Sequence, residues 1–104
     1  MKKSDKIYVA GHTGLIGSAL LRKLKSLSYD HVVTRTRSAL DLTDRNKVEH
    51  FFSQERPDCV ILAAAKVGGI HANNTYPAEF IFKNLSIQNN VIDQAHRYGV
   101  KKLL

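Results

Sequence analysis

"VAGHTGLIGSAL", residues 9–20, decides how this 104-residue chain is read. Gly11, Gly14 and Gly17 recur every third residue. They stand between the apolar run "KIYVA" (6–10) and a segment whose apolar residues Ile16, Leu20, Leu24 and Leu27 return at helical spacing. Glycine loses more backbone freedom on folding than any other residue, so three at a fixed interval need a cause. A strand, a glycine loop and a helix in succession supply one. Gly11 permits a tight turn off the strand, Gly14 lets the backbone approach a pyrophosphate, and Gly17 lets the helix pack near the sheet. The start of the helix then offers free N–H groups and a positive dipole end to phosphate. The plainer alternative is a strand, turn and helix with loose glycines; placement and spacing together favour a dinucleotide loop.

Outward from the loop, "HVVTR" (31–35) reads as a second strand and "ALDL" (39–42) as a short third one. Thr43 or Asp44 can cap a helix with Val48, Phe51 and Phe52 on one face, ended by Pro57. "CVILAAA" (59–65) is apolar without alternation, as in a strand buried on both faces of a parallel sheet. "KVGGIHANN" (66–74) is loop. A helix then starts at Pro77, carries Phe80, Leu85, Val91, Ile92 and Ala95, and runs to about Gly99. "VKKLL" (100–104) begins a fifth strand. The alternation predicts an α/β fold, a doubly wound parallel sheet of Rossmann type, cut within its fifth strand. Residues 1–104 are expected to be the amino-terminal part of one nucleotide-binding domain, with the substrate domain absent.

The end of the second strand speaks to the dinucleotide. An NAD site carries an acidic residue there for the ribose 2′-hydroxyl, whereas an NADP site needs a cation for the 2′-phosphate. "VVTRTRSAL" has Arg35 and Arg37, and no acid until Asp41. NADP is therefore the expected cofactor. The two arginines share one face if the extended backbone continues past the strand. Ligands of such sheets lie outside the carboxyl ends of the strands. "DLTD", "AAAKVGGI" and the helix start near Tyr76 all reach that edge, and the small Ala63, Ala64 and Ala65 leave room for a ribose. Lys66 reads as a solvated loop lysine.

Composition sets limits on other functions. The formal charge is +7, with 16 Lys and Arg against 9 Asp and Glu. The basic residues are spread along the chain without interleaved aromatics to stack on bases, so no nucleic-acid partner is expected. No apolar run approaches the roughly 20 residues that span a bilayer, so no membrane partner is expected either. The start lacks a secretory pattern, and a cytoplasmic protein is the reading. His12, His31, His50, His71 and His96 have no zinc-ligand spacing, and no metal is expected. The lone Cys59 sits in an apolar run and reads as a small core residue.

"VAGHTGLIGSAL", "RTRSALDLTD", "AAAKVGGIHANNTYPAEFI" and "NNVIDQAHRYGVKKLL" together resemble the GDP-L-fucose synthases. These are members of the extended short-chain dehydrogenase/reductases, which also use the G-x-x-G-x-x-G spacing. The similarity runs from about Lys6 to Leu104, and "AAAKVGGIHANNTYP" is its most specific part. The resemblance implies an enzyme that epimerises GDP-4-keto-6-deoxy-D-mannose at two ring carbons and then reduces its keto group with NADPH. It makes Gly11, His12, Thr13, Gly14, Leu15, Ile16 and Gly17 the pyrophosphate loop, and sets Arg37 at the adenosine 2′-phosphate. Asp41 and Leu42 would border the adenine, and Ala63 to Ala65 the nicotinamide ribose. Asn84 matches an asparagine that supports active-site geometry. Thr13 departs from the arginine of some relatives. The family's catalytic Ser, its Tyr-x-x-x-Lys pair, and its epimerising Cys and His would all lie beyond Leu104, so no catalytic residue is assigned and the chain alone is expected to be inactive. "Tyr98-Gly-Val-Lys-Lys102" matches the pair by spelling, but spans a helix end and a strand start. A GDP-sugar substrate and a homodimer are implied for the whole enzyme. An NADP-binding half-domain without its own catalysis, or part of another sugar-nucleotide epimerase or dehydratase, remain alternatives.

Overall fold

Strand β1 (Ile7–Ala10) is buried along its whole length and has a parallel neighbour on each side. The structure is a computed structural model that describes residues 1–64 and 77–104. After β1 come α1 (Leu15–Ser26), β2 (Val32–Val33), α2 (Arg45–Glu55), β3 (Cys59–Leu62), α3 (Pro77–Arg97) and β4 (Lys102–Leu103). The strands form one parallel sheet in the order β2-β1-β3-β4. Ile7 and Tyr8 pair with Val32 and Val33; residues Ile7 to Ala10 pair with Cys59 to Leu62; Cys59 and Val60 pair with Lys102 and Leu103.

Successive strand side chains point to opposite faces, and this divides the core in two. Ile7, Val9, Cys59 and Ile61 meet Leu24 and the half-buried Leu20 of α1 on one face. Tyr8, Ala10 and Val60 meet Val48, Phe51 and Phe52 of α2, and Ile87, Val91 and Ala95 of α3, on the other. With helices on both faces the sheet is doubly wound, as expected. Val48, Phe51 and Phe52 form the buried face of α2 as read. Asp44 caps that helix by accepting from the N–H groups of Asn46 and Lys47 at 3.1 and 3.2 Å. Arg56 leaves the helix in left-handed geometry (φ 45°) just before Pro57.

Several expectations are corrected. "ALDL" (39–42) is not a strand, so the sheet described has four strands and the last is the fourth. Instead the N–H groups of Ala39 and Leu40 donate to the Thr36 carbonyl, and Asp44 N–H to that of Asp41. Asp41 also takes the backbone N–H and the hydroxyl of Thr43, a local bond that competes with a ladder. The strand expected over 31–35 holds only Val32 and Val33, and that over 59–65 ends at Leu62.

Ile16 on α1 and Leu27 at its carboxyl cap are exposed. Gly17 is itself buried and takes part in the contact line, and Ile16 lies about 100° around the helix from it. On α3, Leu85 and Ile92 are exposed together with Ile81 and Phe82, while Ile87, Val91, Gln94 and Ala95 face the core. The side chain of Phe80, and the whole of Ala65, Lys66, His71 and Tyr76, lie outside the described residues. Among the described residues no helix is long and apolar enough to cross a membrane.

Candidate nucleotide site

Three chain segments leave the carboxyl edge of the sheet and enclose one cavity of about 220 Å³. The turn after β1 contributes Gly11, His12, Thr13 and Gly14; the segment after β2 contributes Arg35, Arg37, Leu40, Asp41, Leu42 and Thr43; the end of β3 contributes Ala63 and Ala64. Ten of the residues singled out in the sequence thus meet at one place. Leu15 and Ile16 do not line the cavity; they are the first residues of α1 and point to solvent. Gly17 follows them, buried beneath the turn. Ala65 lies outside the described residues.

The glycines are held by different constraints. Gly11 has φ +85°, a left-handed turn, and a Cβ there would lie 2.7 Å from the backbone N and Cα of Ala64. The turn off β1 therefore rests against the chain leaving β3, and the Ala63 N–H donates to the Ala10 carbonyl at 2.9 Å beside it. A Cβ on Gly17 would lie 1.9 Å from the Gly11 carbonyl oxygen. Gly17 is thus required by the loop backbone rather than by the sheet, which corrects the role given to it above. Gly14 has neither constraint: its φ is −75° and a Cβ would meet Gly11 oxygen at an ordinary 3.5 Å. Nothing within the described residues needs glycine at 14, so the open side of that residue faces the cavity alone.

The start of α1 strengthens this. Gly14 is its N-cap, no side chain among the described residues caps it, and no acidic residue stands in its first turn. A helix start leaves its first N–H groups without intrahelical partners and carries a positive partial charge. Uncapped, beside an open glycine, it suits a pyrophosphate. The residues present therefore fit a dinucleotide, with Gly11 to Gly14 and the start of α1 around its phosphates.

The two arginines do not act alike. Arg35 lies beyond the last paired residue of β2, so the shared strand face expected for the pair is not formed. Its guanidinium lies 3.4 Å from Glu55, donates to the Thr34 carbonyl at 2.8 Å, and stands 5.3 Å over the Phe51 ring. Glu55 also meets Lys6 at 3.4 Å. Arg37 is exposed on the following turn at the cavity wall. The Asp41 carboxylate is held below its ordinary pKa by the Thr43 hydroxyl at 2.6 Å, then by the Thr43 N–H. It therefore stays charged and pins its own loop. The Asn90 side-chain amide of α3 donates to the Leu42 carbonyl at 2.9 Å and fixes the same loop from the other side.

Tyr8, Leu40 and Ile87 also line the cavity and were not singled out as site residues in the sequence, and Thr43, read there as a possible helix cap within "DLTD", lines it too. Tyr8 and Leu40 had a signal in the strand alternation and in "ALDL"; Ile87, on a helix far along the chain, had none. Asn84 lies half-buried on α3. Tyr98 packs against the core just past α3, 5.1 Å under the Arg56 guanidinium, while Lys102 is exposed on β4. The two do not share a helical face, as expected from a segment that spans a helix end and a strand start. Cys59 is buried, and its thiol pKa is raised by that burial and then by the Asp5 carboxylate. Among the described residues no three His, Cys, Asp or Glu side chains gather as a metal site would need.

Comparison with known proteins adds the lineage. GDP-L-fucose synthase 1 of Arabidopsis thaliana is 64% identical over 102 residues, 98% of this chain and 32% of the relative. GDP-L-fucose synthase of Escherichia coli (strain K12) is 52% identical over 100 residues, 96% of this chain and 31% of the relative. Among solved structures, MlghC, a GDP-mannoheptose C4 reductase from Campylobacter jejuni with NADP bound, superposes with a TM-score of 0.94 at 43% identity, over 99% of this chain and 32% of that one. The chain thus spans about a third of the length of the curated relatives it matches. A family model described as "NAD dependent epimerase/dehydratase family" matches residues 7–104. With the glycine loop, the parallel sheet and the cavity in agreement, the chain belongs to the NAD dependent epimerase/dehydratase family.

Proposed function

We propose that this chain is the NADP(H)-binding portion of a GDP-L-fucose synthase. The whole enzyme would epimerise GDP-4-keto-6-deoxy-D-mannose and reduce it with NADPH. One observation carries the cofactor reading: an uncapped helix start, an open Gly14 and the exposed Arg37 border one cavity, where the one lining carboxylate among the described residues, Asp41, is already engaged by Thr43. The GDP-sugar is supported by the names of the relatives and of the Campylobacter reductase. Catalytic groups are not assigned to these residues, and the chain by itself should turn over no GDP-sugar.

The discriminating ligand is the 2′-phosphate. A charge-assisted hydrogen bond is worth roughly 1.5–3 kcal/mol, so Arg37→Glu should weaken NADPH at least about tenfold while leaving NADH close to its original affinity. Calorimetric titration of both nucleotides checks this. Equal loss of the two would remove Arg37 from the phosphate, and no binding of NADPH to the unmodified chain would remove the cofactor.

We further propose that the whole enzyme is a cytoplasmic homodimer, with neither nucleic acid nor membrane as partner. Ile81, Phe82, Leu85 and Ile92 support the pairing, since they form an apolar stripe on α3 opposite its buried face. A helix apolar on two faces is usually covered on both. Phe82→Glu should shift sedimentation of the whole enzyme from dimer to monomer; an unchanged profile assigns the stripe to something else.

A further inference from the structure

Tyr8 sits in the middle of β1, where alternation sends its side chain to the α2 and α3 face. It is 1% exposed. The ring packs on Phe51, centroids 4.5 Å apart and tilted by 51°, and stands edge-on to Phe52 at 6.2 Å. Phenylalanine would fill this apolar site without a polar cost. A buried tyrosine hydroxyl ordinarily finds a hydrogen-bond partner. Among the described residues this one has none: burial raises its pKa to about 12, opposed only by the charge of Arg35, with no hydrogen bond contributing. Nor is its oxygen sealed in the core. Among the described residues the one fully enclosed side-chain polar atom without a partner is Gln94 Oε1. Tyr8 instead lines the cavity at the carboxyl edge of the sheet.

The two ends of that cavity differ in chemistry. Gly11 to Gly14 and the start of α1 form its phosphate end. Leu40, Leu42 and Ile87 give it an apolar wall, and they are the part that belongs to the same core cluster as Tyr8. An apolar wall with one fixed polar group is how proteins hold and orient a flat heteroaromatic ring. We infer that the Tyr8 hydroxyl is a positioning group for the purine of the bound nucleotide, hydrogen-bonding its ring edge from the floor of the cavity. This rests on the NADP(H) site proposed above. The phenol keeps its proton at ordinary pH, so it donates to a ring nitrogen and can accept from an exocyclic amine. Packed against the rings of Phe51 and Phe52, it loses little freedom when it does so.

Tyr8→Phe removes the oxygen and keeps the ring. The unmodified chain and this variant would be titrated with NADPH, with 2′-AMP, which carries the purine, and with nicotinamide mononucleotide, which lacks it. Each would also be melted without ligand. The expected result is NADPH and 2′-AMP weakened by the same factor, about fivefold for one hydrogen bond. Nicotinamide mononucleotide should be unaffected and the ligand-free melting temperature should not fall. Unchanged NADPH affinity in the variant overturns the inference and leaves the cofactor site standing; the hydroxyl then meets only water. A fall in melting temperature with unchanged affinity assigns it a structural role, and equal weakening of nicotinamide mononucleotide takes it away from the purine. If the unmodified chain binds no NADPH, both readings fall together.

Discussion

A methyl group added at Gly17 would lie 1.9 Å from the Gly11 carbonyl oxygen, whereas one added at Gly14 would rest 3.5 Å from that same atom. Overpacking against backbone that cannot move aside typically costs 1–3 kcal/mol and sometimes more. Gly17→Ala should therefore lower stability by about 3 kcal/mol, and Gly14→Ala should leave it nearly unchanged. Gly14→Val keeps the fold but fills the approach to the phosphates, so it should abolish NADPH binding. Thermal melting with calorimetric titration separates the three; a Gly14→Val chain that binds normally would remove the loop from the cofactor site. The sequence reading assigned each glycine its own role, but not the atoms that enforce it. Legible in the sequence were their place after a strand and the pairing of Gly11 with a tight turn. The reason for Gly17 was not, because it depends on where one carbonyl oxygen points. The same limit applies to Arg35 and Arg37, alike in "RTR" but separated by Glu55, which lies twenty residues beyond Arg35 and captures only that one.

At the scale of elements, long periodic segments were read well and short ones poorly. The helix of Val48, Phe51 and Phe52 kept its cap, its buried face and its end near Pro57. The "ALDL" segment lost its strand, although Leu40 is buried and Leu42 packs on the same core. No ladder forms there. The Asp41 bonds to Thr43 bend the chain, and Asn90 then ties the Leu42 carbonyl to α3. That tie joins residues 48 apart, which periodicity cannot reveal. On α3 the sequence reading named Leu85, Val91, Ile92 and Ala95 without sorting them, and passed over Ile81, Phe82 and Ile87; the helix buries Ile87, Val91 and Ala95 and exposes the others. Local pattern gives the number of apolar residues; partners decide which of them are covered. The cavity inherits this limit, since its wall at Ile87 comes from α3 and only the finished packing brings it to the glycine loop.

The whole molecule is tied together at the amino edge of the sheet, away from the cavity. The buried Asp5 carboxylate accepts the Lys2 N–H at 2.9 Å and lies 3.9 Å from the Lys101 ammonium and 3.7 Å from the Cys59 thiol. The Lys2 N–H, helped by the Lys101 charge and opposed by burial, holds its pKa below the ordinary 3.8. The folded chain thus binds this proton less readily than the unfolded one. Asp5 contributes stability above the ordinary carboxylate pKa, and that contribution is lost as pH falls through the depressed folded value. Asp5→Asn should lower the melting temperature at pH 7 and narrow the gap to the unmodified chain at pH 3. Parallel melting curves at both values would show that the carboxylate is not linked to folding. A different consequence follows from the strand order. β1 is the first of the described strands to be made, yet one of its two edges is completed only by Cys59 to Leu62, some fifty residues later. During synthesis, Ile7 to Ala10 leave the ribosome long before that edge can close. Among the described strands, β1 is therefore the one that waits longest for its second neighbour, and for it the interval in which a holding chaperone is most useful ends when Leu62 emerges.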